Sequence, residues 1–362
     1  MNNTILTLDA GGTNLVFHAI NSNNIITASN TIEASSKNLD EFLEKLLTGF
    51  RTINKKTDNN AKAISFCFPG PSDYAKGIIG DLENLPFFRG GVALKNMLEN
   101  EFEIPVYINN DGDLFTLGEA INGLLPHINS TLKENGNNKQ YHNLLGVTLG
   151  TGTGGGIVIN GELLIGDNTA GAEINRSNNF LDPEMSIEET LSIRGIQHLY
   201  CKESGTNPDL CPGPDEIFEI GIGQKKGNKV AAIQAWETFG LVLGQTIANA
   251  ITLIDGLVVI GGGLSGAHSL FLPKAIETMN GKFNSINGGK ISRLETIAYN
   301  FEDEKNMNEF LLNDEEKIFV PYSKEEIMYS PGKKIGVGIS ILGTSMAVAI
   351  GASAFANSKI SN

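Results

Sequence analysis

Four short segments of this chain combine residue types at spacings that could do chemistry. The first, Asp9-Ala10-Gly11-Gly12-Thr13-Asn14, follows the apolar run Ile5-Leu6-Thr7-Leu8. Two glycines at such a turn let backbone fold round phosphate oxygens and aim amide N–H groups at them. Asp9 can hold a metal ion or its water there, and Thr13 can donate a hydroxyl. The same residues would also serve a plain hairpin turn. The second segment, Gly150-Thr151-Gly152-Thr153-Gly154-Gly155-Gly156, matches G-x-G-x-x-G at Gly150, Gly152 and Gly155. Ile157-Val158-Ile159 follows it as a predicted strand, whereas a dinucleotide site needs a helix whose N-terminus meets the pyrophosphate. A glycine-threonine turn between two strands, offering amides and hydroxyls to a terminal phosphate, fits better.

The third segment is Val258-Val259-Ile260-Gly261-Gly262-Gly263, where three glycines after a buried strand leave room for a flat ligand such as adenine. A simple strand-to-helix turn would read the same way. The fourth is Ile108-Asn109-Asn110-Asp111-Gly112, an Asn-Asp pair at a strand's carboxyl end, where α/β sheets bind ligands. An aspartate there can take a proton from an attacking hydroxyl, and the asparagine can hydrogen-bond a neighbouring one. As a bare dipeptide the pair is also an ordinary turn. No G-x-x-x-x-G-K-[ST] occurs, which excludes a P-loop enzyme.

The elements needed to position these residues are legible in outline. Ile5–Leu8, Leu15–Ile20 and Ile25–Ile32 are predicted strands. Asn38 opens an amphipathic helix with Leu39, Phe42, Leu43, Leu46, Leu47 and Phe50 on one stripe. Ala63–Phe68 and Pro105–Asn109 are predicted strands, Leu94–Phe102 a helix, and another helix runs through Gly118-Glu119-Ala120. In the second half, Leu144–Leu149 and Gly156–Ile159 flank the glycine knot, and Asn160-Gly161 signals a hairpin. Ser186–Cys201 and Lys229–Ile254 are predicted helices, and Leu257–Ile260 is a strand followed by another helix. The uncharged run Ile335–Phe355 has the length of a membrane span, but its Gly, Ala, Ser and Thr content predicts a buried strand or loop followed by a small-residue helix. Glu302–Glu326 is the most charged stretch. The recurrence of strand, glycine turn and strand in each half suggests two related α/β lobes facing a cleft.

Composition narrows the function class. The 362 residues are enough for two domains with full cores. Glycine makes up 42 of them, about 12 % against a usual 7 % or so. A formal charge of −14 argues against nucleic acid or an anionic membrane surface as partner. A phosphate ligand would then depend on glycine amides, helix N-termini or a metal ion. Three cysteines without zinc-type spacing, and Asn2-Asn3 leading straight into the first apolar run, predict a cytoplasmic chain without a signal peptide.

Taken in order, the motifs resemble those of the ROK-family sugar kinases and related bacterial glucokinases, in the superfamily that also holds actin. Asp9 to Thr13 looks like the first phosphate motif, Gly150 to Gly156 like the second, and Ile260 to Gly263 like the adenosine motif. Asn84-Leu85-Pro86-Phe87-Phe88 resembles the loop beside the sugar, and Asn110-Asp111 stands in the place of a sugar-binding Asn and a catalytic Asp. Glu173, in Ala170-Gly171-Ala172-Glu173-Ile174, and Glu188, in Ile187-Glu188-Glu189-Thr190-Leu191-Ser192, stand where sugar-binding glutamates are found. Leu342-Gly343-Thr344 through Gly351-Ala352 is similar to the closing helix. The likeness spans nearly the whole chain except roughly 280–334.

That resemblance implies an α/β, two-lobed actin-like ATPase (ribonuclease H-like) fold, with mixed sheets flanked by helices and a central cleft. The lobes are expected at 1–120 plus 343–358 and at 121–342, with a peripheral insertion around 280–334. The implied reaction is ATP-dependent phosphorylation of a hexose hydroxyl, glucose to glucose 6-phosphate, with Asp111 as general base. Asn84, Asn110, Asp111, Glu173 and Glu188 would bind the sugar. Asp9, Gly11, Gly12, Thr13, Asn14, Thr151, Gly152, Thr153, Gly261, Gly262 and Gly263 would bind ATP, with Mg²⁺ at Asp9. The alternatives are a kinase for another hexose or an N-acetylated amino sugar, and a sugar-binding pseudokinase or regulator. A regulator would need a DNA-binding segment ahead of Asp9. Two departures stand out. Asn175 and Arg176 lie where the family motif ends in a histidine, and Asn178–Ser186 holds no Cys or His, so structural zinc is not expected. A homodimer is a further implication of the resemblance.

Overall fold

In the computed structural model, residues 3–10, 14–68, 70, 72–82 and 85–360 are described. Gly11, Gly12, Thr13 and Asn84, all expected at the site, lie outside them. The chain divides into two units. One comprises 1–123, 156–172 and 341–362, and the other 124–155 and 173–340. The return of 156–172 to the first unit is a crossing that the sequence boundaries do not contain.

The first unit opens with the meander β1 (Thr4–Ala10), β2 (Asn14–Asn21) and β3 (Ile26–Glu33). α1 (Leu39–Lys55) follows, started by Asn38, whose side chain accepts the Glu41 N–H at 2.9 Å. β4 (Ala61–Cys67) leads to three short strands, β5 (Ser72–Asp73), β6 (Ile78–Ile79) and β7 (Val92–Ala93), which form a small antiparallel sheet. Then come α2 (Leu94–Phe102), β8 (Val106–Asn109) and α3 (Asp111–Asn122). The main sheet runs β3-β2-β1-β4-β8, with β1, β4 and β8 parallel. Their carboxyl ends therefore share one sheet edge, and they carry Asp9, Cys67 and Asn109. Behind the sheet, Phe17 and Phe50 meet edge to face at 5.0 Å, and Phe42, Phe68 and Phe88 continue the cluster. Burying each such ring is worth about 1.5–3 kcal/mol.

The chain enters the second unit with α4 (Leu124–Glu134) and β9 (Leu144–Leu149). β10 (Thr153–Ile159) carries it back to the first unit and turns into β11 (Glu162–Leu163). Asn160 and Gly161 both take positive φ there (51° and 81°), as a tight hairpin requires. From Glu173 the chain stays in the second unit through α5 (Ile193–Ser204), α6 (Pro214–Ile222), α7 (Lys229–Ile254), β12 (Leu257–Gly261) and α8 (His268–Met279). The predicted helix over 186–201 is in fact a 3₁₀ turn at Ile187–Glu189 and then α5. The break comes at Ser192, whose hydroxyl accepts the Gly195 N–H and caps the new helix.

The remaining elements are β13 (Lys282–Asn284), β14 (Lys290–Ser292), β15 (Ile297–Asn300), α9 (Glu304–Leu311), β16 (Glu316–Phe319), β17 (Glu326–Tyr329), β18 (Lys334–Ile339) and α10 (Thr344–Ile360). The 280–334 stretch is not peripheral throughout. β15 pairs in parallel register with β18, and the second unit's parallel strands run β9-β12-β18-β15. Phe310 of α9 is fully buried against Phe301 at 4.8 Å and Tyr141 at 5.7 Å. On α9 itself Glu304, Lys305 and Glu309 are exposed, and Phe310 and Leu311 are buried. The hairpins β13–β14 and β16–β17 are exposed along their whole length.

α7 is long and apolar enough to cross a membrane by length and composition, but half of its most apolar window is buried in the protein. Trp236 and Phe239 pack on Phe271 of α8. The uncharged run 335–355 becomes β18 and then α10, which returns to the first unit and lies on α3. A Cβ at Gly118 would collide with the Ala347 carbonyl, and one at Gly351 with that of Leu114. Only glycine lets the two helices approach this closely.

Candidate functional site

Each unit presents one cluster of the expected residues. In the first, the parallel edge of β1, β4 and β8 meets the first turn of α10 around a cavity of 440 Å³ lined by Asp9, Cys67, Asn110, Asp111, Ser345 and Val348 among others. The side-chain oxygen of Asn110 accepts the Gly112 N–H at 2.8 Å and so caps α3. Oδ1 of Asp111 accepts the same N–H at 2.9 Å. Two acceptors on one amide fix the Asn-Asp pair at the mouth of the helix.

Solvent reaches Asp111 through the cavity, yet its surroundings are dry enough to push its pKa above the ordinary carboxyl value. Desolvation is the largest cause, the backbone amides of Gly112 and Asp111 oppose it, and the negative charge of Asp9 adds to it. Asp9 accepts a hydrogen bond from the Ser345 hydroxyl. The Cys67 thiol, buried beside both carboxylates, is pushed up strongly by burial and then by their charges, so it stays neutral. Neither Cys67 nor Ser345 stands out in the sequence. Cys67 reads there as one of three thiols, and Ser345 as part of an uncharged run. Asn14 sits exposed at the start of β2, opposite Glu33. Of the Asn84 loop the described part is Leu85 onward, with Phe88 buried against Phe42 at 5.5 Å.

In the second unit, β9 and β12 run parallel with Gly261 opposite Thr148. The glycine turns that follow the two strands therefore emerge side by side. Gly262 has φ 86°, and a Cβ on it would strike the Leu149 backbone. Glycine is required there by the neighbouring strand, whatever ligand binds. Around Gly263 there is open space, and Thr151 is exposed. These two can meet a ligand.

Thr153 departs from expectation. Its hydroxyl donates to the Leu191 carbonyl at 2.7 Å, and its N–H donates to Oε2 of Glu188 at 3.0 Å. Both donors are committed internally because Thr153 begins β10 and is buried, so they are not offered to a phosphate. Glu188 is thus tied to the turn, and its other oxygen accepts from Arg194 Nη2 at 3.0 Å. Glu173 is exposed just before a 3₁₀ turn at Ile174–Arg176. That turn is joined to the one bearing Glu188 by the Ile187 N–H donating to the Ser177 carbonyl at 3.0 Å. Asn175 is half-buried and Arg176 exposed. Among the described residues no group of three or more His, Cys, Asp or Glu gathers as a metal-ligand set.

The comparisons with known proteins agree in kind. The model of the ROK family matches residues 5–293. A solved structure described as glucokinase from Parabacteroides distasonis ATCC 8503 is 46 % identical, with a TM-score of 0.87, covering 99 % of this chain and 98 % of that one. An N-acetyl-D-glucosamine kinase of Photobacterium profundum is 28 % identical over 292 residues, 74 % of this chain and 87 % of that protein. A ROK-family glucokinase from Streptomyces griseus, solved in complex with glucose and AMPPNP, shares the fold at 15 % identity and a TM-score of 0.58, covering 97 % of this chain and 99 % of its own.

Proposed function

The chain belongs to the ROK family, and from that premise we propose that it transfers the terminal phosphoryl group of ATP to a hydroxyl of glucose. The relatives are sugar kinases, and the fold is their two-lobed actin-like α/β architecture. The choice of glucose rests on the 46 % identity with the Parabacteroides glucokinase across almost the full length of both chains. The acceptor is the point on which the relatives divide, and N-acetyl-D-glucosamine is the second reading because a kinase for it matches at 28 %.

The observation that carries the chemistry is Asp111 at the head of α3, raised in pKa and facing a cavity shared with Asp9. In this reading Asp111 accepts a hydrogen bond from the acceptor hydroxyl, orients its oxygen for attack and takes its proton as the new O–P bond forms. The pKa is raised but remains far below that of an alcohol, so orientation is the larger contribution. Asn110 has its oxygen committed to capping α3, so it would meet a second sugar hydroxyl with its Nδ2 donor. Glu173 and Glu188 would accept from further hydroxyls. Losing one of these contacts discriminates between sugars because it strands a polar group.

The chain also fits a nucleotide. The free space at Gly263 admits a flat base, and the exposed Thr151 can donate its hydroxyl to a phosphate oxygen, whereas the Gly150 and Thr153 amides are already bonded within the turn region. Asp9, with one oxygen held by Ser345, would hold Mg²⁺ or its water. That ion supplies charge neutralisation to the phosphates when bound. Gly11, Gly12 and Thr13 remain part of the proposed donor site by their place in the sequence. We read the protein as cytoplasmic, where its three free thiols stay reduced. Asp9 and Asp111 facing one cavity weigh against a pseudokinase, since the proposed metal ligand and the proposed base are both present.

The test is a panel of hexoses and N-acetylated hexosamines in a coupled ADP-release assay with Mg²⁺ and ATP. Highest kcat/KM for glucose is expected. A preference for N-acetyl-D-glucosamine would replace the acceptor, and no turnover with any sugar would overturn the enzyme reading.

A further inference from the structure

Arg194 sits in the first turn of α5 between two carboxylates, and the reaction as read above gives it no task. Its Nη2 donates to Oε1 of Glu188 at 3.0 Å and to Oε1 of Glu189 at 2.7 Å, while its Nε donates to Oε2 of Glu189 at 3.2 Å. Glu188 is thereby held at both oxygens, by Arg194 on one side and by the Thr153 N–H on the other. Beside it Gly152 has no space for a side chain, since a Cβ there would lie 2.6 Å from Oε2 of Glu188. Two further bonds bind the same two segments. The Ile193 N–H donates to the Gly150 carbonyl at 2.9 Å, and the Thr153 hydroxyl to that of Leu191. The turn 150–153 and the segment 188–194 are one interlocked piece, with Arg194 as its charged clasp.

We propose that Arg194 is a positioning residue that locks Glu188 onto the Gly150–Thr153 turn, so that the carboxylate gripping the sugar and the turn gripping the donor phosphate are set together and the two substrates bind cooperatively. The proposal rests on the reading of function given above. Its physical basis is twofold. A carboxylate fixed at both oxygens presents one geometry to a sugar hydroxyl, and any shift of the turn on binding phosphate is transmitted to it directly. Arg194 also neutralises two negative charges beside a site that must accept a polyanion, and the same two glutamates keep it firmly protonated. Removing the guanidinium frees Glu188 to rotate and leaves both carboxylates uncompensated. Coupling of this kind is reciprocal, so it reads out equally from either substrate.

The experiment measures the Kd of the hexose that gives turnover, by calorimetry, with and without a saturating non-hydrolysable ATP analogue and Mg²⁺. It uses the full chain and the variants Arg194→Gln, Arg194→Lys and Glu189→Gln. In the wild type the analogue should tighten hexose binding at least about fivefold. Arg194→Gln should bring that ratio close to 1 and raise KM for both substrates more than it lowers kcat. Arg194→Lys should restore part of the ratio, and Glu189→Gln, which leaves the Arg194–Glu188 contact in place, should keep it. If Arg194→Gln fails to fold, an unchanged ratio in Arg194→Lys together with a lost ratio in Glu189→Gln would reject the assignment. A wild-type ratio of 1, or a wild-type ratio retained in Arg194→Gln, overturns the inference while leaving the kinase reading intact. Absence of turnover in the wild type overturns the reading itself.

Discussion

Ser345 donates its hydroxyl to the carboxylate of Asp9 across 336 positions of sequence, joining the first turn of the last helix to the end of the first strand. The carboxylate proposed to hold Mg²⁺ is thus oriented by a residue from the far end of the chain. Ser345→Ala should raise the Mg²⁺ concentration needed for half-maximal turnover several-fold and leave KM for glucose nearly unchanged. Its effect on stability should stay within about 1.5 kcal/mol, the scale of one exposed hydrogen bond. Magnesium titration of initial rates checks this, and an unaltered requirement would show that Asp9 is oriented without Ser345.

Asp111→Asn keeps the size of the side chain and removes the base. Turnover should fall by about 10²–10⁴-fold while the Kd for the sugar changes little. Steady-state kinetics and calorimetry on the same preparation separate the two. Wild-type kcat in this variant would remove Asp111 from the reaction.

The raised pKa of Asp111 has consequences of definite sign. As pH falls through that value the base is protonated, so the acid limb of kcat/KM should lie above 3.8, the ordinary aspartate value. Because Asp9 contributes to the shift, Asp9→Asn should move the limb to lower pH in whatever residual activity it retains. Stability runs the other way. Below 3.8 the unfolded and folded states both hold the proton, and as pH rises through the raised folded value the native state must ionise a group its surroundings disfavour. Asp111 therefore costs stability at neutral pH, and Asp111→Asn should raise Tm at pH 7 by a margin that shrinks on acidification. An equal Tm gain at all pH values would contradict this.

Gly351→Ala tests the close approach of α10 and α3. The added methyl would collide with the Leu114 carbonyl, so the helices must separate. A loss of about 1–3 kcal/mol is expected from denaturant unfolding, together with reduced turnover, because α10 carries Ser345. Gly343→Ala is no control for this, since its φ of 75° brings its own strain, whereas Gly213, in open space, is a suitable one.

Much of the candidate site's local geometry is legible in the sequence because its signals are local. Asn110 and Asp111 stand at a strand end and cap the next helix, and the cap chemistry of that dipeptide is visible without any tertiary contact. The glycine turns after β9 and β12 are visible for the same reason, although their residues do different work from what the motifs suggest. Gly262 answers to the Leu149 backbone, and Thr153 spends its donors on Glu188 and Leu191. Partners 35 or 38 residues apart cannot be read from a motif. Long-range assembly hides the rest. Cys67 enters the cavity only because β4 lies between β1 and β8, and β15 joins the second unit's sheet only because β18 is there to receive it. Charge composition misleads at 280–334 because one buried face of α9, with Phe310, is enough to anchor a stretch that reads as surface.

The first unit is completed by residues from 341 onward, so its assembly depends on the order of synthesis. β1 emerges early, but α10, which covers β1, β4 and α3, follows more than 300 residues later. At roughly 5–20 residues per second, that is a delay on the order of tens of seconds. Over that interval the face of the five-stranded sheet opposite α1, carrying Ile5 and Ala63, lacks its Ala356 cover on the ribosome, and the pocket around Asp9 and Asp111 has no Ser345 or Val348 wall. Nascent chains stalled before α10 should therefore be protease-sensitive in the first unit and open to chaperone capture, and the cavity closes only as the last helix docks.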